Sequence, residues 1–211
     1  MKIVDCLFCS KTAQRGKEHV FAEAMLTALD AGRETLLFER RSSANDGLEQ
    51  SRQHSYDSFL AGGICTGCNH GWMSALEASV IPWVLKVRAK EHLQAFQDAK
   101  RRLTLARWAV KTACVIDCVG GMQEIPLDIS RQLFQMQDSI PENVRVFVGF
   151  YNWPAPTRFT FNQRNRWMYY LLYQTCEDPE CSIDGMFFKV AFAIESLMVL
   201  VVSMPSAHFH P

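Results

Sequence analysis

Hydrophobic and polar positions follow a helical period through the middle of the chain and a strand period near its end. Between Leu103 and Val119, the residues Leu105, Trp108, Ala109, Thr112, Val115, Ile116 and Val119 share one wide face at about 100° per residue. That predicts a helix ended by Gly120-Gly121. Arg107, Lys111, Cys114 and Cys118 form a stripe on its other side. Phe21–Ala31 predicts a second helix that stops at Gly32, and Asn69–Leu85 a third, interrupted at Pro82. Trp72, Met73 and Leu76 of the third are candidate core residues, and an amphipathic helix is expected around Ser130–Gln137. Arg40–Ser58 is polar, with an Asn-Asp-Gly turn signal, and predicts a long surface loop with room for a poorly formed hairpin.

After residue 143 the period becomes two. Val144, Val146, Val148 and Phe150 alternate with Arg145, Phe147 and Gly149, and Met186, Phe188, Val190, Phe192 and Ile194 alternate again. Phe159 and Phe161 alternate with polar neighbours, while Trp167–Tyr173 and Leu197–Val202 are apolar runs. Together they predict an antiparallel sheet of about four or five strands. The fold class is therefore α+β. Residues 1–80 form a first module; residues 81–211 form an α+β domain with a basic helical segment at 81–119 and a sheet at about 144–203.

The chain has 211 residues, 48% hydrophobic and 21% charged, which excludes a wholly disordered chain, a collagen-like repeat and a coiled-coil rod. Lys plus Arg and Asp plus Glu both number 22, so net charge makes no case for nucleic acid or a membrane. The zero hides a basic segment, since residues 81–111 carry eight basic and two acidic residues. Lys100, Arg101, Arg102, Arg107 and Lys111 are candidate phosphate contacts for DNA; the alternative is a solvated helix surface. Arg164 and Arg166 beside Trp167 and Tyr169 are either a base-stacking surface or core.

MKIVDCLFCS is too short and too soon polar for a signal peptide, and no window holds about eighteen uninterrupted apolar residues. A cytoplasmic protein with no membrane partner is expected, and in that compartment eight cysteines argue for metal ligands or buried thiols before disulfides. Cys6-x2-Cys9 and Cys65-x2-Cys68 are two knuckles, each placing two thiolates on one side of a turn. Together they predict a closed, structural Zn²⁺ site. Cys114 and Cys118 read as buried thiols; Cys176 and Cys181 flank an acidic turn, where a second metal or a redox pair is the lesser reading. His208 and His210 belong to the tail.

The zinc would draw Glu18-His19 toward Asn69-His70. A carboxylate, an imidazole and an amide or second imidazole near one clamp suit a hydrolytic metal site. Each has a plainer reading: Glu18 favours the N-terminus of the 21–31 helix, Asn69 is an N-cap, and His19 is a surface histidine.

At these residues the chain resembles the HNH nuclease family. Its zinc-bearing members read C-x2-C, then an acidic residue and His, then C-x2-C followed at once by Asn or His, as in Cys6/Cys9, Glu18-His19, Cys65/Cys68 and Asn69. Glu18-His19-Val20-Phe21 and Cys68-Asn69-His70-Gly71-Trp72-Met73-Ser74 are similar to a bacterial subgroup, as is Trp108-Ala109-Val110-Lys111-Thr112. The resemblance implies a zinc-stapled ββα-metal module and a DNA endonuclease. In it, His19 is the general base, and Mg²⁺ or Mn²⁺ is held by Glu18 and Asn69, with His70 competing for the ligand position. The family's middle residue, which orients the catalytic histidine, is not fixed by spacing; Asn45 and His54 are its candidates. Glu18 and His19 are adjacent, so a flat strand would turn them to opposite faces. The other readings are a non-catalytic zinc module that binds nucleic acid or a protein partner, and a nuclease subunit activated by such a partner.

Overall fold

The computed structural model describes residues 2–29, 35–42, 48–55, 60–88, 96, 98–120, 125–150, 167–174, 187–194 and 197–203, with the backbone alone at 35–42, 48–55, 87–88, 120, 167–174, 187 and 194. The chain opens with a hairpin, β1 (Ile3–Asp5) and β2 (Thr12–Gln14), paired from Ile3 opposite Gln14 to Asp5 opposite Thr12. A second small antiparallel pair joins β3 (Glu18–His19) to β6 (Leu60–Ala61). Between these two strands lie a short helix, α1 (Glu23–Ala28), and two longer strands, β4 (Thr35–Ser42) and β5 (Leu48–Ser55). After β6 come α2 (Thr66–Cys68), a wide five-residue turn of π type (Asn69–Met73), and α3 (Ser74–Arg88). Two helices follow, α4 (Ala99–Gly120) and α5 (Leu127–Gln135). The remaining strands are β7 (Val144–Phe150), β8 (Trp167–Gln174), β9 (Phe187–Ile194) and β10 (Leu197–Ser203).

The main sheet has six strands in the order β5-β4-β8-β9-β10-β7. The fold class is α+β, and all neighbours in this sheet run antiparallel except β4 and β8, which are parallel. The polar stretch expected to be a long loop with room for a poorly formed hairpin supplies all of β5 and the last three residues of β4. Its side chains carry no apolar alternation, so only the long-range pairing with β8 makes it a sheet edge. The Phe159 and Phe161 strand signal lies outside the described residues.

α4 is enclosed on several sides. It packs against β10, β7 and β6 as well as α3 and α5, so both of its stripes are covered. Trp108 meets Phe192 of the sheet at 5.6 Å between ring centroids, and Phe21, just before α1, touches both rings. One buried cluster runs from Cys6 and Phe8 through Phe21, Met73 and Trp108 to Val190 and Val201. The boundary drawn at residue 80 falls inside α3, and the core continues across it. α3 also passes through Pro82 without a break. Pro82 and Ala78 are both exposed, so water can satisfy the Ala78 carbonyl that lacks a donor. Among the described residues, no helix is long and apolar enough to cross a membrane.

Candidate metal centre and adjoining histidine strand

The first hairpin turns at its cysteine pair. Cys6 N–H donates to the Lys11 carbonyl at 3.1 Å, and Ser10 N–H to the Cys6 carbonyl at 3.0 Å. Ser10 closes the turn at φ 57°, in the left-handed region. The second knuckle hangs on the first through Leu7 N–H, which donates to the Gly63 carbonyl at 2.8 Å. Glycine suits that close approach, because a Cβ at residue 63 would stand 3.2 Å from Cys118 Sγ. Cys65 bridges to Arg15 and is the N-cap of α2, its sulfur accepting from Cys68 N–H at 3.3 Å.

The four sulfurs of Cys6, Cys9, Cys65 and Cys68 lie within 4.8 Å of one another, and those of Cys9 and Cys65 are 3.8 Å apart. A tetrahedron with Zn–S bonds of about 2.3 Å has edges of about 3.8 Å, so the cage has the right size. Cys6 Sγ also accepts from Cys65 N–H at 3.4 Å. Burial opposes ionisation of Cys6 most strongly, but the N–H groups of Cys9, Cys65 and Phe8 outweigh it and lower the thiol to about 7. Burial pushes the Cys65 and Cys68 thiols up. Four thiolates with these N–H donors fit a closed structural metal such as zinc, with no ligand position left for substrate. Burial likewise pushes Cys114 and Cys118 up, in keeping with inert thiols. Cys176, Cys181, Asn45, His208 and His210 lie outside the described residues, and His54 is described only by its backbone on β5.

β3 starts directly beyond this cage. Asn69, which follows the last cysteine, donates from Nδ2 to the Lys17 carbonyl at 2.9 Å. Gly16 makes room for it, since a Cβ there would lie 3.2 Å from that nitrogen. Asn69 is therefore held beside the strand that carries Glu18 and His19. It is the C-cap of α2, and Cys65 fills the N-cap role expected for it. His70 is exposed on the wide turn. Glu18 sits in β3 and leaves the first turn of α1 to Glu23.

Glu18 and His19 alternate as strand residues do: Glu18 is 4% exposed, and His19 is half-buried. The Glu18 carboxylate meets Lys111 of α4, whose Nζ donates to Oε1 at 3.2 Å. The same ammonium donates to Oε1 of Glu77 from α3. Lys111 is 0% exposed and Glu77 5%, so three charged side chains from three elements meet inside the core. Burial raises Glu18 from its ordinary value of about 4.5 to about 7; Lys111 opposes the shift and Glu77 adds to it. Burial works against the Lys111 charge most strongly, yet Glu77 and Glu18 together raise its pKa and keep it protonated.

Such a carboxylate is a poor fit for a cation that must also meet substrate. Among the described residues, the four cysteines are the only group of three or more His, Cys, Asp or Glu side chains placed to hold a metal. Glu18, His19 and His70 make no such group.

The basic residues divide in two. Lys100, Arg101 and Arg102 are exposed at the start of α4, where Arg101 pairs with Asp98 at 3.3 Å and lies over the Trp83 ring at 5.2 Å. Arg107 and Lys111 are inside, contrary to their expected role at a phosphate backbone. The Arg107 guanidinium donates to the carbonyls of Ser139 at 2.9 Å and Leu133 at 3.1 Å. Their burial follows from the enclosure of α4, whose second stripe faces α3 and α5 rather than solvent.

Compared with known proteins, the chain matches no family model, no curated protein and no solved structure. The residues that sequence reasoning passed over are Glu77 and the buried role of Lys111. Glu77 lies four residues after Met73 and three before Val80, and Lys111, at the border of the apolar face, three after Trp108 and four before Val115. A charge at helical spacing from apolar residues on both sides was the available signal.

Proposed function

We propose that the chain is a zinc-stapled endonuclease of the ββα-metal kind, acting on DNA phosphodiesters. The observation that supports this reading is the bond from Asn69 Nδ2 to the Lys17 carbonyl. It ties the helical side of the second knuckle to the strand bearing His19, within a unit of two short antiparallel strands followed by a helix. In this reading zinc is bound by Cys6, Cys9, Cys65 and Cys68 and has a purely structural role. His19 is the general base. Its imidazole takes a proton from the water that attacks phosphorus in line, a contribution of about 10²–10⁴ in rate; the P–O3′ bond opposite breaks, and the leaving 3′ oxygen takes a proton from solvent. Asn69 polarises or orients groups at the same edge. Lys100, Arg101 and Arg102 supply sequence-independent backbone contacts. Glu18, engaged by Lys111 inside the core, is not a cation ligand in this reading.

The test is nicking of supercoiled plasmid by purified protein, with Mg²⁺, with Mn²⁺ and with EDTA, with His19→Ala in parallel. Nicking by wild type, and at least about a hundredfold less by the variant at unchanged zinc content, is the expected result. Equal nicking by both removes His19 from the mechanism. A second reading, a non-catalytic zinc module for nucleic acid or a protein partner, gains from the engagement of Glu18 by Lys111. It predicts no nicking by folded, zinc-loaded protein, with retention on a DNA or partner matrix.

A further inference from the structure

Three elements that are distant in sequence send one charged side chain each into a single buried point. Lys111 lies 93 residues from Glu18 and 34 from Glu77, yet its ammonium donates to both carboxylates. No solvent reaches the nitrogen, and both carboxylates are almost fully covered. A buried ammonium needs paired acceptors, because leaving it or its partners uncompensated costs more than the pair itself contributes. This contact adds a buried side-chain anchor to β3, beyond the Gly16 N–H to Ile64 carbonyl bond and the Asn69 bond to the Lys17 carbonyl that lead into it. The strand has only two residues, and its ladder reaches no further than Ala61 and Leu60. Two ladder positions alone fix a strand's rotation weakly. Glu18 anchored at its carboxylate fixes it firmly, and the next residue is then turned to the opposite face.

We propose that Lys111, itself braced by Glu77, is a positioning residue for His19, and that Glu18 serves as its internal anchor and not as a ligand for a catalytic cation. The assignment rests on the nuclease reading of His19. It departs from the carboxylate role that the resemblance implies, and it accounts for a lysine and a glutamate that the proposed chemistry does not touch. Glu18 takes part as an acceptor from Lys111, and a glutamine oxygen accepts from an ammonium as well. Lys111 cannot be replaced in the same way: without it, two buried carboxylates face each other with no counter-charge.

The experiment uses the full zinc-loaded chain and three substitutions, Lys111→Met, Glu18→Gln and Glu77→Gln. Each is measured for zinc content, melting temperature, plasmid nicking and the carbon-13 ring resonances of His19 by NMR. Glu18→Gln and Glu77→Gln are expected to keep nicking within about threefold of wild type and to leave the His19 resonance in place. Lys111→Met is expected to lower the melting temperature by on the order of 10 °C, to shift the His19 resonance and to lose at least about tenfold in kcat with little change in KM. Loss of nicking in Glu18→Gln as deep as in His19→Ala, with the His19 resonance unmoved, overturns the proposal, because it makes the carboxylate part of the reacting site. Should Lys111→Met fail to fold, the two glutamine variants decide by the same criterion. Should wild type itself not nick, the nuclease reading fails alone, and the His19 resonance still decides the positioning. A resonance that moves with Lys111→Met supports it; where that variant does not fold, a resonance held in place in both glutamine variants supports it, and one displaced in both overturns it. A resonance indifferent to Lys111→Met overturns it.

Discussion

Asn69 Nδ2 donates to the carbonyl of Lys17 at 2.9 Å, across 52 residues of sequence. The bond is exposed, so its loss costs only about 1 kcal/mol of stability. Its value is geometric, because it fixes the edge of β3 next to His19. Asn69→Ala is therefore expected to keep zinc and lose little in melting temperature, but to lower plasmid nicking by about 10- to 100-fold, the range seen for orienting partners. Gly16→Ala should act through the same hydrogen bond, because its new Cβ would crowd Nδ2. Nicking and melting curves on both variants check this; a large loss of stability with Asn69→Ala would contradict the geometric role.

The cysteine cage predicts a sharp division among the six described thiols. Cys6, Cys9, Cys65 and Cys68 share one cage, while Cys114 is buried in the core and Cys118 is half-buried against it. Structural zinc in small domains is worth about 10–16 kcal/mol, comparable to the whole stability of about 5–15 kcal/mol that a domain retains. Cys6→Ser and Cys68→Ser should therefore fail to fold or lose all cooperative melting. Cys118→Ser should bind one zinc per chain and melt within a few degrees of wild type. Metal analysis and scanning calorimetry on the purified variants decide it, and zinc retained by Cys68→Ser would count against the cage.

Local spacing carried the parts of the molecule that were legible in the sequence. Two knuckles of fixed spacing placed the cage, and apolar periods placed α4 and the strands β7, β9 and β10. Elements made by distant partners were not legible. Thr35–Ser42 and Leu48–Ser55 pair as strands although much of this stretch is polar, because β8 offers β4 its free edge. Lys111 and Glu77 stand at helical spacing from apolar residues, but neither helix read alone names the partner each would need. Only the packing of α4 against α3 and β6 brings them to Glu18. Hydrophobic period indicates which face is apolar; it does not tell how many neighbours will surround a helix.

Basic residues on α4 should separate by function along its length. Arg107 is buried and donates to the carbonyls of Ser139 and Leu133, so Arg107→Ala strands two acceptors and is expected to cost about 3 kcal/mol. For a chain of this size that lowers the melting temperature by on the order of 10 °C. Lys100→Gln with Arg102→Gln should leave melting nearly unchanged. If these residues meet phosphates, the slope of log affinity against log salt falls by about 0.9 for each phosphate that is no longer neutralised. DNA binding measured over a salt series, beside thermal melts, tests both halves. A salt slope that drops only in Arg107→Ala would reverse the assignment.

The Glu18 carboxyl gives stability a specific dependence on pH. Its pKa in the folded chain is raised to about 7 from an ordinary value of about 4.5, chiefly by burial. The folded state therefore holds more protons than the unfolded state between those two values, and stability falls as pH rises through that window. The contribution is fully present below about pH 4.5 and is gone above about pH 7, with a span of about 3 kcal/mol. Other groups titrate over the same range, so the useful quantity is the difference between wild type and Glu18→Gln, which carries no proton to lose. Urea midpoints at pH 5 and pH 8 should fall further for wild type than for the variant. The reason is local: at pH 5 the protonated carboxyl leaves Lys111 and Glu77 as a balanced pair, and at pH 8 the core holds one negative charge in excess. Parallel pH profiles for the two proteins would mean that the carboxyl titrates as it does in water, the attraction of Lys111 then offsetting its burial in full.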